Sequence, residues 1–322
     1  MAILITGVAG FVGSNLAKFF LDAGKTVFGV DNLSRGDCGN LSICAANRDF
    51  YFAELDVNDI EALKKWLDQL VRIEDVEEVW HLAANSDIPA GITSPNVDLR
   101  DTFLSTFNTI EVMKCFDIGT MIFASSSALY GDLGAASLSE SSGPLLPISN
   151  YGAMKLASEA LISASVEGFL DRAFIFRFPN VIGIPATHGV ILDFVRKLRD
   201  NPQVLHVLGD GSQKKSYLHV EDLLRAMIFV RHHSNEKLTL INIGPSDSGV
   251  TVKFIAEQVV AEFSSSAMIS YGRGMKGWVG DVPRFFYSTE KLLNLGWNPT
   301  MTSEQAVKRA VKEIISQESQ GR

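Results

Sequence analysis

The chain has 322 residues, of which 46% are hydrophobic and 20% charged, and its formal net charge is −8. This apolar content excludes a disordered chain, and 37 acidic against 29 basic side chains argue against a protein that coats nucleic acid. Three cysteines without metal-type spacing, no apolar run near the roughly 18 residues of a membrane span, and no secretory signal predict a cytoplasmic protein without a membrane partner.

Short apolar runs alternate with amphipathic segments through the first half of the chain. The runs predict strands buried on both faces over residues 3–6, 26–30, 50–55, 78–82, 121–124 and 173–178. The segments between them predict helices over residues 13–23, 60–71, 98–116 and 151–168. Such alternation implies right-handed crossovers and a parallel sheet covered on both faces. The predicted class is α/β, with a Rossmann-type doubly wound parallel sheet.

The second half of the chain has shorter elements, separated by glycine and proline. We expect residues 1–177 to form a nucleotide-binding domain and residues 178–322 a smaller α/β C-terminal substrate lobe. A helix over residues 220–232 and a strand over residues 238–243 are expected to return to the first domain, so that about 220–246 rejoins it.

Three glycines follow the first predicted strand and lead into the first predicted helix. Gly7, Gly10 and Gly13 have the spacing of a dinucleotide fingerprint, where a tight turn lets a pyrophosphate approach backbone N–H groups. Asp31 ends the second strand, where a carboxylate can bind the adenosine ribose hydroxyls and repel a 2′-phosphate. The pattern favours NAD over NADP, although Asp31 can also form a turn and Arg35 lies close by. Asp56 is expected to contact the adenine or to cap a helix.

The fifth predicted strand ends in a run of serines, at the sheet edge where ligands bind in open α/β sheets. Farther on, Tyr151 and Lys155 form a Y-x-x-x-K pattern, which places both on one helix face. A free tyrosine ionises near pH 10, so we expect the ammonium, with a cationic nicotinamide, to lower the pKa of the phenol. Together with the glycines and Asp31, this pair predicts a catalytic site.

Several ordered motifs along the whole chain carry a family resemblance. Beyond the glycine fingerprint, the serine run and the Tyr151/Lys155 pair, they are Asp31-Asn32-Leu33, His81-Leu82-Ala83-Ala84, Arg177-Phe178-Pro179-Asn180, Gly209-Asp210-Gly211-Ser212-Gln213, His219-Val220-Glu221-Asp222, Gly280-Asp281-Val282 and Leu295-Gly296-Trp297-Asn298-Pro299. The chain resembles the extended short-chain dehydrogenase/reductase family, in its nucleoside-diphosphate-sugar epimerase/dehydratase branch (UDP-glucose 4-epimerase-like).

The resemblance implies a hydride shuttle with NAD as cofactor and a nucleotide-diphosphate sugar as substrate. Tyr151 would remove the proton of a sugar hydroxyl, usually at C4, Ser126 would hydrogen-bond the same oxygen, and Lys155 would also hold the nicotinamide ribose. The implied cofactor residues are Gly7, Gly10, Phe11, Val12, Gly13, Asp31, Asn32, Ser34, Arg35, Asp56, Val57, Leu82, Ala83, Ala84, Tyr151, Lys155 and Phe178. The implied substrate residues are Ser86, Ser126, Ser127, Asn180, Lys215 and Asp281. A homodimer through helices 98–116 and 151–168 is also implied.

The residues after Ser126 distinguish the members of this branch. Members that dehydrate the sugar need a further acid/base pair or a glutamate right after the catalytic serine or threonine, whereas this chain has Ser127 and Ala128. We therefore expect an epimerase rather than a 4,6-dehydratase. The alternatives are a 4-dehydrogenase that yields a 4-keto product with bound NADH, a non-catalytic NAD sensor and an NADPH-dependent reductase.

The substrate lobe departs from the family pattern at phosphate-binding positions. Lys215 and Trp278 stand where many members have arginines, which leaves the identity of the nucleotide open. Asn180 can contact phosphates or cap a strand end. His81 and His219 lack partners at ligand spacing, so we expect two satisfied core histidines and no metal.

Overall fold

The computed structural model describes residues 1–134, 137–274 and 286–320. Its strands are β1 (Ala2–Thr6), β2 (Val27–Asp31), β3 (Phe50–Glu54), β4 (Val76–His81), β5 (Thr120–Ala124), β6 (Ser137–Leu138), β7 (Arg172–Arg177), β8 (Asn180–Ile182), β9 (Val204–Val207), β10 (Lys214–Lys215), β11 (Tyr217–His219), β12 (Leu238–Asn242), β13 (Val250–Thr251), β14 (Met268–Tyr271) and β15 (Phe286–Tyr287). Its α-helices are α1 (Phe11–Asp22), α2 (Ser42–Ala45), α3 (Ile60–Leu70), α4 (Ile88–Thr93), α5 (Pro95–Asp98), α6 (Ser105–Cys115), α7 (Asn150–Gly168), α8 (Val190–Asp200), α9 (Val220–His233), α10 (Val252–Phe263), α11 (Glu290–Asn294) and α12 (Ser303–Gln320).

The central sheet of the described residues is parallel and has the strand order β12-β7-β5-β4-β1-β2-β3. All residues of β1 and β2 are buried, as their continuous apolar runs predict. The predicted α/β doubly wound fold is confirmed. One detail was wrong, because β3 is only partly buried rather than buried on both faces. It lies at the edge of the sheet, where one side has no neighbouring strand.

The helix predicted over residues 98–116 is interrupted in the structure. Helix α5 ends at Asp98, a π-helical segment spans Leu99–Leu104, and α6 begins at Ser105. The Asp98 carboxylate is fully buried and accepts a hydrogen bond from the Asn85 side chain at 2.8 Å. A side chain fixed in this way at the junction is a local constraint that hydrophobic periodicity does not report.

The chain divides into two compact units. The first consists of Met1–Leu129, Leu146–Arg177 and Ser234–Ile241, and it contains the central sheet up to Ile241. The second consists of Tyr130–Leu145, Phe178–His233 and Asn242–Arg322, of which residues 135, 136, 275–285, 321 and 322 are not described. Compared with the predicted boundaries, α9 falls in the second unit because it contacts β8 and β11, whereas β12 pairs with β7 in the first.

The core of the second unit is built by amphipathic helices. In α8 the buried residues Ile191, Phe194, Val195 and Leu198 follow the i, i+3, i+4, i+7 spacing of one helix face. They belong to a cluster to which α10 and α12 contribute valines, isoleucines and alanines. Among the described residues, no helix has both the length and the apolar character needed to cross a membrane.

Candidate active site

The glycine-rich turn lies between β1 and α1 and is packed more closely than any larger residue would allow. A Cβ on Gly13 would lie 2.1 Å from the carbonyl oxygen of Gly7, and a Cβ on Gly7 would lie 2.7 Å from the backbone nitrogen of Ala83. Gly7 also has φ +73, which favours glycine. Helix α1 begins at Phe11 after an N-cap, Gly10, that offers no side chain to its N–H groups. Such a backbone cradle at a helix N-terminus fits the pyrophosphate of a dinucleotide.

The Asp31 carboxylate lies at the end of β2, directly beside this turn. Its Oδ2 accepts the backbone N–H of Ala9 at 2.9 Å, and its Oδ1 accepts the N–H of Leu33 at 2.8 Å. Burial raises the pKa of Asp31, while these two hydrogen bonds oppose the increase. The side chain therefore forms a local turn and also fixes the glycine-rich segment. Each carboxylate oxygen keeps acceptor capacity for a ribose hydroxyl.

The other predicted cofactor residues lie along the same edge of the sheet. Asn32 donates from its amide to Asp56 Oδ2 at 3.2 Å, and Val57 is buried. The alternative role of Asp56 as a helix cap was wrong, because α3 is capped by Asp59, which accepts the N–H of Ala62. A groove of about 700 Å³ adjoins this position, lined by Asp56, Asn58, Asp59, Ile60, Glu61 and Lys64.

The remaining cofactor candidates divide between the units. Phe11 and Val12 open α1, and Leu82, Ala83 and Ala84 follow β4, where the N–H of Ala83 donates to Thr6 Oγ1 at 3.3 Å. Ser34 and Arg35 are exposed in the segment after β2. Phe178 is half-buried in the second unit, directly after β7.

Ser126, Tyr151 and Lys155 come together where β5 ends and α7 begins. Ser149 caps α7 by accepting the N–H of Gly152 at 3.1 Å, which sets the first turn that carries Tyr151. Ser126 is close enough to the Tyr151 phenol to act on its pKa, which it lowers. Lys155 is 2% exposed, and its Nζ lies 5.8 Å from the centre of the Tyr151 ring. These are the side chains that Y-x-x-x-K and the serine run predicted to lie together.

Burial shifts the pKa values of both members of this pair. Burial raises the pKa of Tyr151 to about 12, with a further increase from Asp98, although Ser126 acts in the opposite direction. Burial lowers the pKa of Lys155 to about 7. Its Nζ donates to the carbonyl oxygen of Ala124 at 2.6 Å and also lies 4.6 Å from the centre of the Phe123 ring. In the protein alone, the amine therefore does not lower the phenol pKa below its ordinary value.

A buried ion pair that the sequence analysis missed lies one helical turn beyond Lys155. Arg177 binds both carboxylate oxygens of Glu159, at 3.0 Å and 2.6 Å, and Ser125 Oγ donates to the same carboxylate. Both members of the pair are less than 10% exposed. Glu159 acts on Lys155 by raising its pKa against the effect of burial. The i, i+4 spacing of Lys155 and Glu159 could have indicated this effect on Lys155, whereas no spacing rule connects Glu159 with Arg177.

The two histidines are core residues, as predicted. His81 is fully buried, with Thr6 Oγ1 at 2.7 Å and Thr106 Oγ1 at 3.1 Å from its ring nitrogens, and burial lowers its pKa to about 3. His219 is 2% exposed and lies 3.0 Å from Glu313. In the part of the chain that the structure describes, no cluster of three or more His, Cys, Asp or Glu side chains could hold a metal ion.

The predicted substrate residues lie in both units. In the first unit, Ser127 follows Ser126 at the end of β5, and Ser86 is exposed after β4. In the second unit, Asn180 is exposed at the start of β8 and contacts the Ser216 carbonyl at 3.4 Å, while Lys215 lies in β10, paired with Val250. Asp281 and Trp278 lie outside the described residues.

Comparisons with known proteins address the class of this site. The family model described as "NAD dependent epimerase/dehydratase family" matches residues 3–244. The chain belongs to the NAD-dependent epimerase/dehydratase family. It is 29% identical to a UDP-glucose 4-epimerase of Halalkalibacterium halodurans, over 94% of this chain and 92% of that protein. It is 26% identical to a UDP-glucuronate 4-epimerase of Thermodesulfobacterium geofontis, over 96% and 94%.

Solved structures of this family agree with these relatives. A UDP-galactose 4-epimerase is 33% identical, covers 98% of this chain and 99% of its own, and superposes with a TM-score of 0.85. A UDP-glucose 4-epimerase of Thermotoga maritima, solved with UDP-glucose, is 26% identical over 99% and 100% of the two chains, with a TM-score of 0.83. The family, the enzyme class and the NAD cofactor expected from the sequence are confirmed. Epimerisation is supported over the dehydrogenase, dehydratase and sensor alternatives.

Proposed function

We propose that the chain inverts C4 of a UDP-linked hexose through a transient 4-keto sugar. The observation that carries the proposal is the Ser126–Tyr151 pair beside Lys155. In the chain, Ser126 is followed by Ser127 and Ala128. These two residues have no carboxylate that could remove a C5 proton, so water is not eliminated from the keto sugar. The relatives named as 4-epimerases of UDP-glucose, UDP-galactose and UDP-glucuronate support the choice of nucleotide and of carbon.

The proton follows a short path in this proposal. Tyr151 Oη takes the proton of the C4 hydroxyl, and Ser126 Oγ hydrogen-bonds the same sugar oxygen and holds it in line with the phenol. The glycine-rich turn and Asp31 would hold NAD, which would supply a reversible acceptor for the C4 hydride and a positive charge that favours the phenolate. Inversion requires that the hydride leaves one face of the sugar and returns to the other. Tyr151 Oη then gives its proton back to the sugar oxygen, so the net reaction is neither oxidation nor reduction.

Two residues of the second unit are proposed to bind the nucleotide part of the substrate. Lys215 provides a cation for the diphosphate, and Asn180 provides an amide that can donate to phosphate oxygens. Because lysine is a point charge and arginine a planar fork, Lys215 would orient the diphosphate less strictly than an arginine. Asp281 is proposed to contact the ribose of the nucleotide.

A homodimer is proposed through the helical face that contains α6 and α7. Three large apolar side chains are exposed along α6 and the π-helical segment before it. They are Leu99 (42% exposed), Leu104 (37%) and Phe107 (41%). Large apolar side chains that follow one another along a helix are typical of a surface that a partner covers. A second copy of this chain is the occupant that the family resemblance implies.

The catalytic proposal is tested by incubating the protein with UDP-, GDP- and CDP-sugars. NMR of the sugar identifies inversion at C4, and absorbance at 340 nm detects net reduction of NAD. We expect an inverted UDP-hexose without net reduction. Tyr151→Phe should lower turnover by about 10²- to 10⁴-fold, the usual contribution of a general acid/base, while NAD stays bound.

Tyr51→Phe is the matched control, since Tyr51 is a half-buried tyrosine of β3 that packs against Phe28. It should keep wild-type turnover. Appreciable turnover by Tyr151→Phe would remove Tyr151 from its role. A keto sugar formed with stoichiometric reduction of NAD would replace the epimerase by a dehydrogenase.

A further inference from the structure

Arg35 lies in the loop beside the Asp31 carboxylate, yet its guanidinium is bound by an aspartate from another loop. Arg35 Nη1 lies 3.1 Å from Asp87 Oδ2. We propose that Asp87 determines the choice between NAD and NADP, because it holds Arg35 away from the position that a 2′-phosphate would take. This inference concerns the cofactor and is independent of the sugar assigned above.

The backbone around Arg35 folds closely over the Asp31 carboxylate. The N–H of Leu33 donates to Asp31 Oδ1 at 2.8 Å, and a Cβ on Gly36 would lie 2.8 Å from the same oxygen. Arg35 therefore lies in the chain between Leu33, which donates to the Asp31 carboxylate, and Gly36, whose backbone passes close to it. Since an arginine side chain is long and flexible, an Arg35 without the Asp87 contact could turn towards the adenosine ribose that Asp31 is expected to bind.

Asp87 is held rigidly, unlike most exposed members of ion pairs. Its Oδ1 caps α4 by accepting the N–H of Ala90 at 3.1 Å, and its own N–H donates to Asn85 Oδ1 at 2.9 Å. Asn85 is 3% exposed, and its amide in turn donates to the buried carboxylate of Asp98 at 2.8 Å. The contact with Arg35 uses the other carboxylate oxygen, Oδ2. The hydrogen bonds of Oδ1 and of the backbone N–H therefore hold Asp87 in place independently of the ion pair. Such fixation removes part of the entropy loss that weakens ordinary surface pairs.

The chemistry of the two dinucleotides makes this contact selective. NADP carries a phosphate where NAD has a ribose hydroxyl, and arginine binds phosphate with its planar fork of donors. Asp31 opposes the phosphate by charge repulsion. A free Arg35 would offset that repulsion, so the pairing of Arg35 with Asp87 removes the cation that NADP needs. The proposed preference for NAD over NADP thus has two causes: the negative charge of Asp31 repels a 2′-phosphate, and Arg35 is already paired with Asp87.

The test measures nucleotide binding rather than turnover. Protein equilibrated with equal concentrations of NADH and NADPH is separated from free nucleotide, and the bound nucleotides are extracted and quantified. Asp87→Ser keeps an N-cap residue but is too short to reach Arg35, and Asp87→Asn keeps the shape and loses the charge. We expect the bound NADPH:NADH ratio to rise roughly fivefold to tenfold in both variants, the range for a charge-assisted contact at a partly exposed site.

Two further variants test whether Arg35 is the cation that binds NADPH and whether the loss of any surface carboxylate has the same effect. Arg35→Gln combined with Asp87→Ser should return the ratio to the wild-type value. Asp68→Asn removes one charge from an exposed pair of similar length, 2.8 Å from Arg72, and should leave the ratio unchanged. An unchanged ratio in Asp87→Ser would overturn the proposal, as would a raised ratio that persists in the double variant. Sugar inversion by wild-type protein is scored separately, so either idea can fail alone.

Discussion

Lys155 carries a stability cost whose size depends on pH, and Lys155→Met should remove that dependence. The side chain is 2% exposed, and burial lowers its pKa to about 7. Between pH 7 and 10.5 the unfolded chain keeps the proton that the folded protein has released. The unfolded state then binds more protons, so the free energy of unfolding rises with pH through this window. Below pH 7 both states bind the proton, so the cost of the buried charge is at its full size and the unfolding free energy does not change with pH through this group.

The expected size follows from the two pKa values. From pH 6 to pH 9 the folded protein loses its proton over about two pH units while the unfolded chain retains it, which corresponds to roughly 2.5 kcal/mol of unfolding free energy. Methionine has a similar length and no charge, so this increase should be absent in Lys155→Met. The variant also loses the hydrogen bond to the Ala124 carbonyl, and any change in the strength of that bond on deprotonation is already contained in the pKa of Lys155. The difference between the two slopes therefore isolates the amine.

Urea unfolding of the nucleotide-free proteins at pH 6 and pH 9, followed by tryptophan fluorescence, measures both slopes. His81 titrates far below this range in the folded state, and its contribution cancels when wild type and variant are compared. The wild-type protein should gain roughly 2.5 kcal/mol more than the variant between the two pH values. Equal gains in the two proteins would refute a buried amine with a depressed pKa.

Two further changes test the interior of the site and its helical face. Glu159→Gln leaves Arg177 buried without its counter-charge, so the free energy of unfolding should fall by about 3–5 kcal/mol in urea titrations. Asp68→Asn, which breaks an exposed pair, should cost less than about 1 kcal/mol; similar losses in the two variants would contradict a buried pair. Phe107→Glu should shift the proposed dimer to monomer in sedimentation velocity, whereas Ile73→Glu, at an exposed apolar residue outside that face, should not. A wild-type protein that sediments as a monomer would end the dimer proposal.

Much of the fold could be predicted because its signals are local. Five-residue apolar runs and intervening amphipathic segments specify strands and helices, and the confirmed α/β sheet follows from their alternation. The glycine spacing is informative for a steric reason: at Gly13 a Cβ would lie 2.1 Å from the Gly7 carbonyl. The partial exposure of β3 could not be predicted in this way. Its sequence is as apolar as that of an inner strand, and only the order of the strands places it at the edge.

Within the candidate site, the sequence predicted which side chains lie together but not their partners. Tyr151 and Lys155 share a helix face by spacing alone, whereas the Ala124 carbonyl that holds Lys155 comes from a distant strand. The same applies to Arg35. Its position four residues after Asp31 left NADP as an alternative cofactor, and only the fold shows that Asp87, fifty-two residues later, binds its guanidinium. Charge partners of high sequence separation have no periodicity that a pattern could reveal.

In the proposed mechanism, the shifted pKa values of Tyr151 and Lys155 favour a role for an added positive charge. Burial raises the pKa of Tyr151 to about 12 and lowers that of Lys155 to about 7, so the Lys155 amine is too weak a base to take the proton of the phenol. Both side chains are thus neutral above pH 7 in the protein alone, and the phenol is a poor base. A cation placed against the phenol in this buried site would favour the phenolate and lower the pKa of Tyr151. Because NAD and NADP carry the same nicotinamide, this effect requires a bound oxidised dinucleotide but does not depend on which of the two is bound.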